Sequence, residues 1–284
     1  MIEIPFAQKE SLFQGETLEV KSFEHGVHQL LFKRAEKRNS FNAKMIEEIN
    51  EALRILATIS WPQDLRALLI CGEGKVYSAG ADLSYMKEQA KNNEAVNFHD
   101  AKELGRMFYR LAALPVPVIS AVQGAAIGGG LGLTVCSDYV VAEENAIFAT
   151  SEVRLGIVPG VISPYIVRKV GTGNASPFML MGQQLRSPEA KQVGLVQQVC
   201  EKGQLQQATI DVLHEFLKAG PFAARTTKEL ILKASPLPAP KIFEYTALCI
   251  AGARCSEEGQ SGLNAFFDKK PAPWVIEQDK GGDA

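Results

Sequence analysis

Apolar positions in this chain fall into short β-branched runs that alternate with segments of helical spacing. Residues 26–32 read as a strand and residues 33–38 as a charged turn. Ser40 or Asn42 can cap a helix running to about residue 57, because Met45, Ile46, Ile49, Leu53 and Leu56 recur on one face. A second strand is expected over 66–71, and the small-residue turn Ser78-Ala79-Gly80-Ala81-Asp82-Leu83 comes after it. Helical spacing continues to about residue 114, with Met107, Phe108 and Leu111 on an apolar stripe. A third strand over 117–122 leads into Gly128-Gly129-Gly130, a helix to Cys136 and a strand over 139–142. Strands alternating with helices predict an α/β domain with largely parallel pairing.

The character changes after Gln204. Residues 205–218, 223–234 and 240–251 have helical spacing, and Pro236, Pro238 and Pro240 mark a break. The organisation read from this is a core over 14–204, a helical region over 205–275 and a polar tail over 276–284 whose composition predicts disorder.

Two turns carry candidate chemistry. Where Gly128, Gly129 and Gly130 end a strand and open a helix, backbone amides can approach a ligand closely, and a helix N-terminus favours an anionic oxygen. Close strand–helix packing without a ligand is the plain alternative. The turn at Ala79–Leu83 supplies a second set of small residues at a strand end, with Asp82 able to cap the next segment. Two such turns can aim two N–H groups at one oxyanion.

Composition narrows the class. The 284 residues are 46% apolar with a formal net charge of −2, which provides for a sizeable core and does not favour nucleic-acid binding. The five cysteines are scattered without a C-x-x-C pair, as for free thiols in a reducing compartment. The N-terminus shows no secretory or transit pattern, and the longest apolar region, 111–136, is broken by prolines and glycines. A cytoplasmic protein without a membrane span is expected. His25, His28, His99 and His214 do not form a metal-binding spacing.

Four motifs occur in order: Ser78-Ala79-Gly80-Ala81-Asp82-Leu83, Leu114-Pro115-Val116-Pro117-Val118-Ile119, Gly128-Gly129-Gly130-Leu131-Gly132-Leu133, and Ser151-Glu152-Val153-Arg154-Leu155-Gly156. Together they resemble the enoyl-CoA hydratase/isomerase (crotonase) superfamily, and the likeness runs from about Gly26 to Val199. The resemblance implies a spiral of ββα units with a helical C-terminal region, a homotrimer or dimer of trimers, and an acyl-CoA substrate. It implies that the amides of Ala81 and Gly129 form the oxyanion hole and that Glu152 is the acid/base. No metal or further cofactor is implied, since coenzyme A is part of the substrate. Substrate contacts are expected at Arg38, Ala79, Asp82, Leu83, Gly128, Gly132 and Arg154. For the cluster around Arg38 a solvated turn is the alternative to CoA phosphate contact, and for Asp82 a helix cap is the alternative to anchoring the substrate loop.

The catalytic pattern departs from that family at two positions. Its hydratases carry two glutamates, and the first falls at Gly132 here; only Glu152 remains. Gly160 stands where several acyl-CoA isomerases, dehalogenases and hydrolases of the fold carry aspartate. The chain most resembles bacterial methylglutaconyl-CoA hydratases. Hydration of an enoyl-CoA such as 3-methylglutaconyl-CoA is therefore expected, with Δ3-Δ2-enoyl-CoA isomerisation as the alternative within the family. A non-catalytic acyl-CoA- or RNA-binding member of the fold is the alternative of another class. Gly132 is expected to leave room for a branched or carboxylated acyl group. Arg154, placed on an extended segment, would face the same side as Glu152 and pair with a distal carboxylate or with a structural partner.

Overall fold

The computed structural model describes residues 2–275, so the tail at 276–284 lies outside the described residues. The large sheet has seven strands: β1 (Gln8–Gln14), β2 (Leu18–Phe23), β3 (Val27–Phe32), β4 (Ala67–Gly72), β5 (Val118–Val122), β7 (Tyr139–Glu143) and β10 (Gln198–Cys200), adjacent in that order. The first three pair antiparallel, and the ladder from β3 to β10 is parallel. Every residue of β3, β4 and β5 is buried, as expected where a parallel sheet is covered on both faces. Alternate residues split between two cores. Leu30, Leu68 and Ile70 join the larger one, while Leu31, Leu69 and Ile119 meet Leu205, Val212 and Leu213 of helix α7 (Leu205–Leu217).

A second, three-stranded sheet stands beside the first: β6 (Ala125–Ile127), β8 (Ile147–Ala149) and β9 (Gln184–Arg186). Each turn of the chain puts one strand in the large sheet and one short strand or bridge in this layer, and a helix then leads back. The helices of the spiral are α1 (Ala43–Thr58), α2 (Leu83–Gln89), α3 (Glu94–Ala113), α4 (Gly129–Cys136), α5 (Ser163–Leu180) and α6 (Ser187–Gln192). This is the ββα spiral expected from the resemblance. Asn42, one of the two caps considered, accepts a 2.9 Å hydrogen bond from Met45 N at the start of α1. Met45, Ile46, Ile49, Leu53 and Leu56 are all buried.

Beyond Gln204 the described residues contain only helices: α7, α8 (Pro221–Ala234), α9 (Pro240–Cys255) and α10 (Glu257–Phe267). The three prolines fall between α8 and the start of α9. Helix α9 packs along α3, and α10 reaches the turn that carries Glu152. No described helix is long and apolar enough to cross a membrane.

Candidate active site

The second layer sets three candidate positions side by side. Ser78 bridges Ala126 in parallel, and Ala126 pairs with Phe148. These are three adjacent rungs, and adjacent strands lie about 4.8 Å apart. Ala81 and Gly129 follow the first two rungs and Glu152 follows the third, so residues distant in sequence emerge along one edge.

Local hydrogen bonding then exposes the amides. Phe41 N donates to Gly80 O at 2.7 Å and Asp82 N donates to Phe41 O at 2.7 Å, a parallel bridge that turns the N–H of Ala81 to the opposite side. Gly129 is the first residue of α4, where an N–H has no partner within the helix. Among the described residues neither amide is hydrogen-bonded to protein. Gly128 reaches φ +50° to make this turn, a conformation that side chains resist, and its N–H donates to Ala149 O at 3.0 Å. Ala81 and Gly129 line a cavity of about 360 Å3, together with Ala79, Gly80, Gly128 and Glu152. Its remaining wall is mostly apolar and includes Met86, Leu104, Ile127, Val158, Val161 and Ile250.

Glu152 opens a one-turn 3-10 helix, Glu152–Leu155. A Cβ added to Gly128 would stand 3.4 Å from Glu152 Oε1, so the carboxylate lies over the glycine turn. The other oxygen, Oε2, is buried without a hydrogen-bond partner among the described residues. Burial pushes this carboxyl up to about 7, against weaker opposing pulls from its own backbone amide and the charge of Arg254. A carboxyl half-ionised near neutrality, in an apolar cavity beside two free amides, can take and return a proton at a carbon next to a carbonyl.

Two expectations need correction. Gly132 leaves no room for an acyl branch. A Cβ there would meet Phe108 Cζ at 2.4 Å and Ile162 Cγ2 at 2.8 Å, and the fully buried Phe108 ring already fills the space. Arg154 is not on an extended segment, because it belongs to the 3-10 turn. It is exposed at the cavity rim, and its Nε donates to Met181 O at 3.0 Å. Gly160 is sealed too, since a Cβ there would lie 2.5 Å from Thr246 O on α9.

Asp82 caps α2, accepting from Ser84 N at 2.9 Å, and its second oxygen pairs with Arg34 Nη2 at 2.9 Å. Leu83 is half-exposed. Arg38 is exposed in a left-handed turn at φ 53°, and its carbonyl accepts from Ala79 N at 3.0 Å. Arg38, Asp82, Leu83 and Gly132 do not border the cavity; Ala79, Gly128 and Arg154 do. Sequence reasoning missed Gln89 from α2 and Arg254, Leu263 and Phe266 from the C-terminal helices, all of which border it. Their approach depends on helix packing across the chain, and no local pattern signals it.

Comparison with known proteins agrees with this geometry. The family model for enoyl-CoA hydratase/isomerase matches residues 22–277. The crystal structure of an enoyl-CoA hydratase from Shewanella pealeana is 36% identical with a TM-score of 0.73, covering 92% of this chain and 97% of that one. Methylglutaconyl-CoA hydratase of Rattus norvegicus is 30% identical over 87% of this chain and 78% of its own length. The 2,3-dehydroadipyl-CoA hydratase of Escherichia coli is 27% identical over 85% of this chain and 92% of its own. With the ββα spiral, the paired free amides and a family match over most of its length, the chain belongs to the enoyl-CoA hydratase/isomerase family and is an enzyme of that family.

Proposed function

We propose that this enzyme hydrates an enoyl-CoA thioester, and dehydrates the product in reverse, with Glu152 as its acid/base. The observation that carries this is the unbonded, buried carboxylate oxygen of Glu152 in the cavity bordered by the free amides of Ala81 and Gly129. The thioester oxygen accepts both N–H groups. As the water oxygen bonds to C3, Glu152 takes a proton from that water, and the electron pair of the double bond moves into an enolate held by the amides. Glu152 then gives a proton to C2, and the amides release a neutral carbonyl. One carboxylate performs both transfers, so H and OH add to the same face. CoA enters as part of the substrate, and the steps call for no resident cofactor.

A specific observation favours a second reading. The place of a second carboxylate is filled by Phe108 and Ile162, and a lone carboxylate suits moving a proton between C4 and C2, a Δ3-Δ2 isomerisation. For the acyl group, 3-methylglutaconyl-CoA is the substrate we put forward. The names of the rat and E. coli relatives support it, while the space once expected at Gly132 does not. A panel of 2-enoyl and 3-enoyl-CoA esters analysed by mass decides between the chemistries. Hydration adds the mass of one water and isomerisation adds none. A clear preference for crotonyl-CoA over 3-methylglutaconyl-CoA in kcat/KM would reject the carboxylated substrate.

The assembly we propose is a trimer or a dimer of trimers. Exposed apolar residues on the helical region, among them Tyr245 and Leu248, support it. Light scattering that finds only monomer at micromolar concentration would refute it.

A further inference from the structure

Arg254 is the charged side chain that the C-terminal helices bring into the cavity. It comes from the last turn of α9 and borders the same space as Glu152, Ala81 and Gly129. Its side chain is 14% exposed, so its charge has lost most of its water. What replaces that water is incomplete. Among the described residues only Nη1 has protein partners, an ion pair with Asp100 Oδ2 at 3.4 Å and a long hydrogen bond to Asn97 Oδ1 at 3.5 Å. Nε and Nη2 have none among the described residues. Asp100 shares its charge with two further donors, the Tyr85 hydroxyl and the Gln89 side-chain amide. A guanidinium presents five donors in a planar fork suited to a carboxylate, and here most of that fork is unused.

Once the thioester oxygen is fixed at the two amides, the acyl chain has to run along the rest of the lining. That lining is apolar apart from Gln89, Ser151, Glu152, Arg154 and Arg254. Arg154 sits exposed at the rim and commits its Nε to the backbone. Glu152 repels an anion whenever it is ionised. Arg254 is therefore the group inside the cavity that can receive a negative charge carried by the acyl chain.

We propose that Arg254 is a specificity-determining residue that selects acyl-CoA esters whose acyl chain ends in a carboxylate. This rests on the reading of the cavity as an acyl-CoA site and deepens it, and it transfers to Arg254 the role the sequence suggested for Arg154. Glu152 and Ala81/Gly129 act on the thioester end, while Arg254 reads the far end.

The test uses binding, so it does not depend on the reaction catalysed. Calorimetry on the full-length protein compares glutaryl-CoA with valeryl-CoA, saturated esters of equal chain length that differ in the terminal group. Wild type is expected to bind glutaryl-CoA about ten- to a hundredfold more tightly, as for one charge-assisted hydrogen-bonded pair. Arg254→Gln should bring the ratio close to one. Arg254→Lys, which keeps the cation but not the fork, should retain part of the preference. Equal or tighter binding of valeryl-CoA by wild type would overturn the proposal without any variant, and so would an unchanged ratio in a folded Arg254→Gln protein. Turnover of the matching unsaturated esters is then measured by mass. A binding preference without hydration refutes the hydratase reading and leaves the role of Arg254 standing.

Discussion

Glu152 should weaken the fold it serves, and replacing it with Gln should stabilise the protein in a pH-dependent way. In the folded state burial raises its carboxyl from 4.5 to about 7. Between those values the unfolded chain has released the proton that the folded chain still holds, so folding stability falls as pH rises through this window and levels off above about 7. Each pKa unit corresponds to about 1.4 kcal/mol, so the ionised carboxylate costs about 3 kcal/mol at pH 8 and less than about 1 kcal/mol at pH 5. Glu152→Gln removes that pH-dependent part. The amide is a buried polar group too, but its cost does not vary with pH. The stability gap between variant and wild type should therefore widen in favour of the variant by about 2 kcal/mol from pH 5 to pH 8. Urea denaturation of both proteins at the two pH values reads the gap directly, with turnover measured on the same samples. A gap that stays constant with pH, or a variant that becomes relatively less stable at pH 8, would refute the view that Glu152 is held in the cavity at the expense of stability. Turnover should fall by at least about 10²- to 10⁴-fold.

Three further outcomes are expected from the same geometry. The kcat/KM for hydration should rise with pH through about 7 and then level off, because Glu152 must be ionised to accept the proton of water; a profile flat from pH 5 to 9 would exclude it as the base. Gly129→Pro should lower kcat by about 10²- to 10³-fold with the helix retained. It deletes one oxyanion donor at the first position of α4, where proline is best tolerated, and the Phe41 ring, 3.2 Å from an added Cβ, has to give slightly. Gly132→Ala should cost about 1–3 kcal/mol in stability through its collision with Phe108; a thermal midpoint equal to wild type would show that the ring yields freely.

The glycine turns of the candidate site were legible in the sequence, and the part built by the C-terminal helices was not. Gly128–Gly130 and the turn at Ala81 are legible because strand ends, helix starts and their small residues are local features, whereas Glu152 is picked out only by the family resemblance. The long buried strands β3, β4 and β5 are legible for the same reason. Strand β1 escapes notice because Gln8, Lys9, Glu10 and Ser11 leave it little apolar pattern, whereas the alternation Leu18-Glu19-Val20-Lys21 in β2 is a strand signal that sequence reasoning missed. Strands β6, β8 and β9 have three residues each, too short to show a period. Helix α5 contains Gly171 at φ 74° and Pro177, which mask its spacing. The filling of the Gly132 site depends on where the Phe108 ring arrives from α3, and the placement of Arg254 depends on α9 packing across α3. Both are long-range packing outcomes, and no window of sequence contains them.

The closure of the cavity by α9 and α10 of its own chain bears on how a mixed assembly would behave. Glu152, Ala81, Gly129 and Arg254 of one chain line this cavity together. In the trimer proposed above, two chains disabled at different ones of these positions have no intact set to share, and intersubunit complementation should fail. In proposed trimers that mix wild-type and Glu152→Gln chains, activity should decline in direct proportion to the dose of the inactive chain. Such an allele would act as a simple loss and would not poison its neighbours.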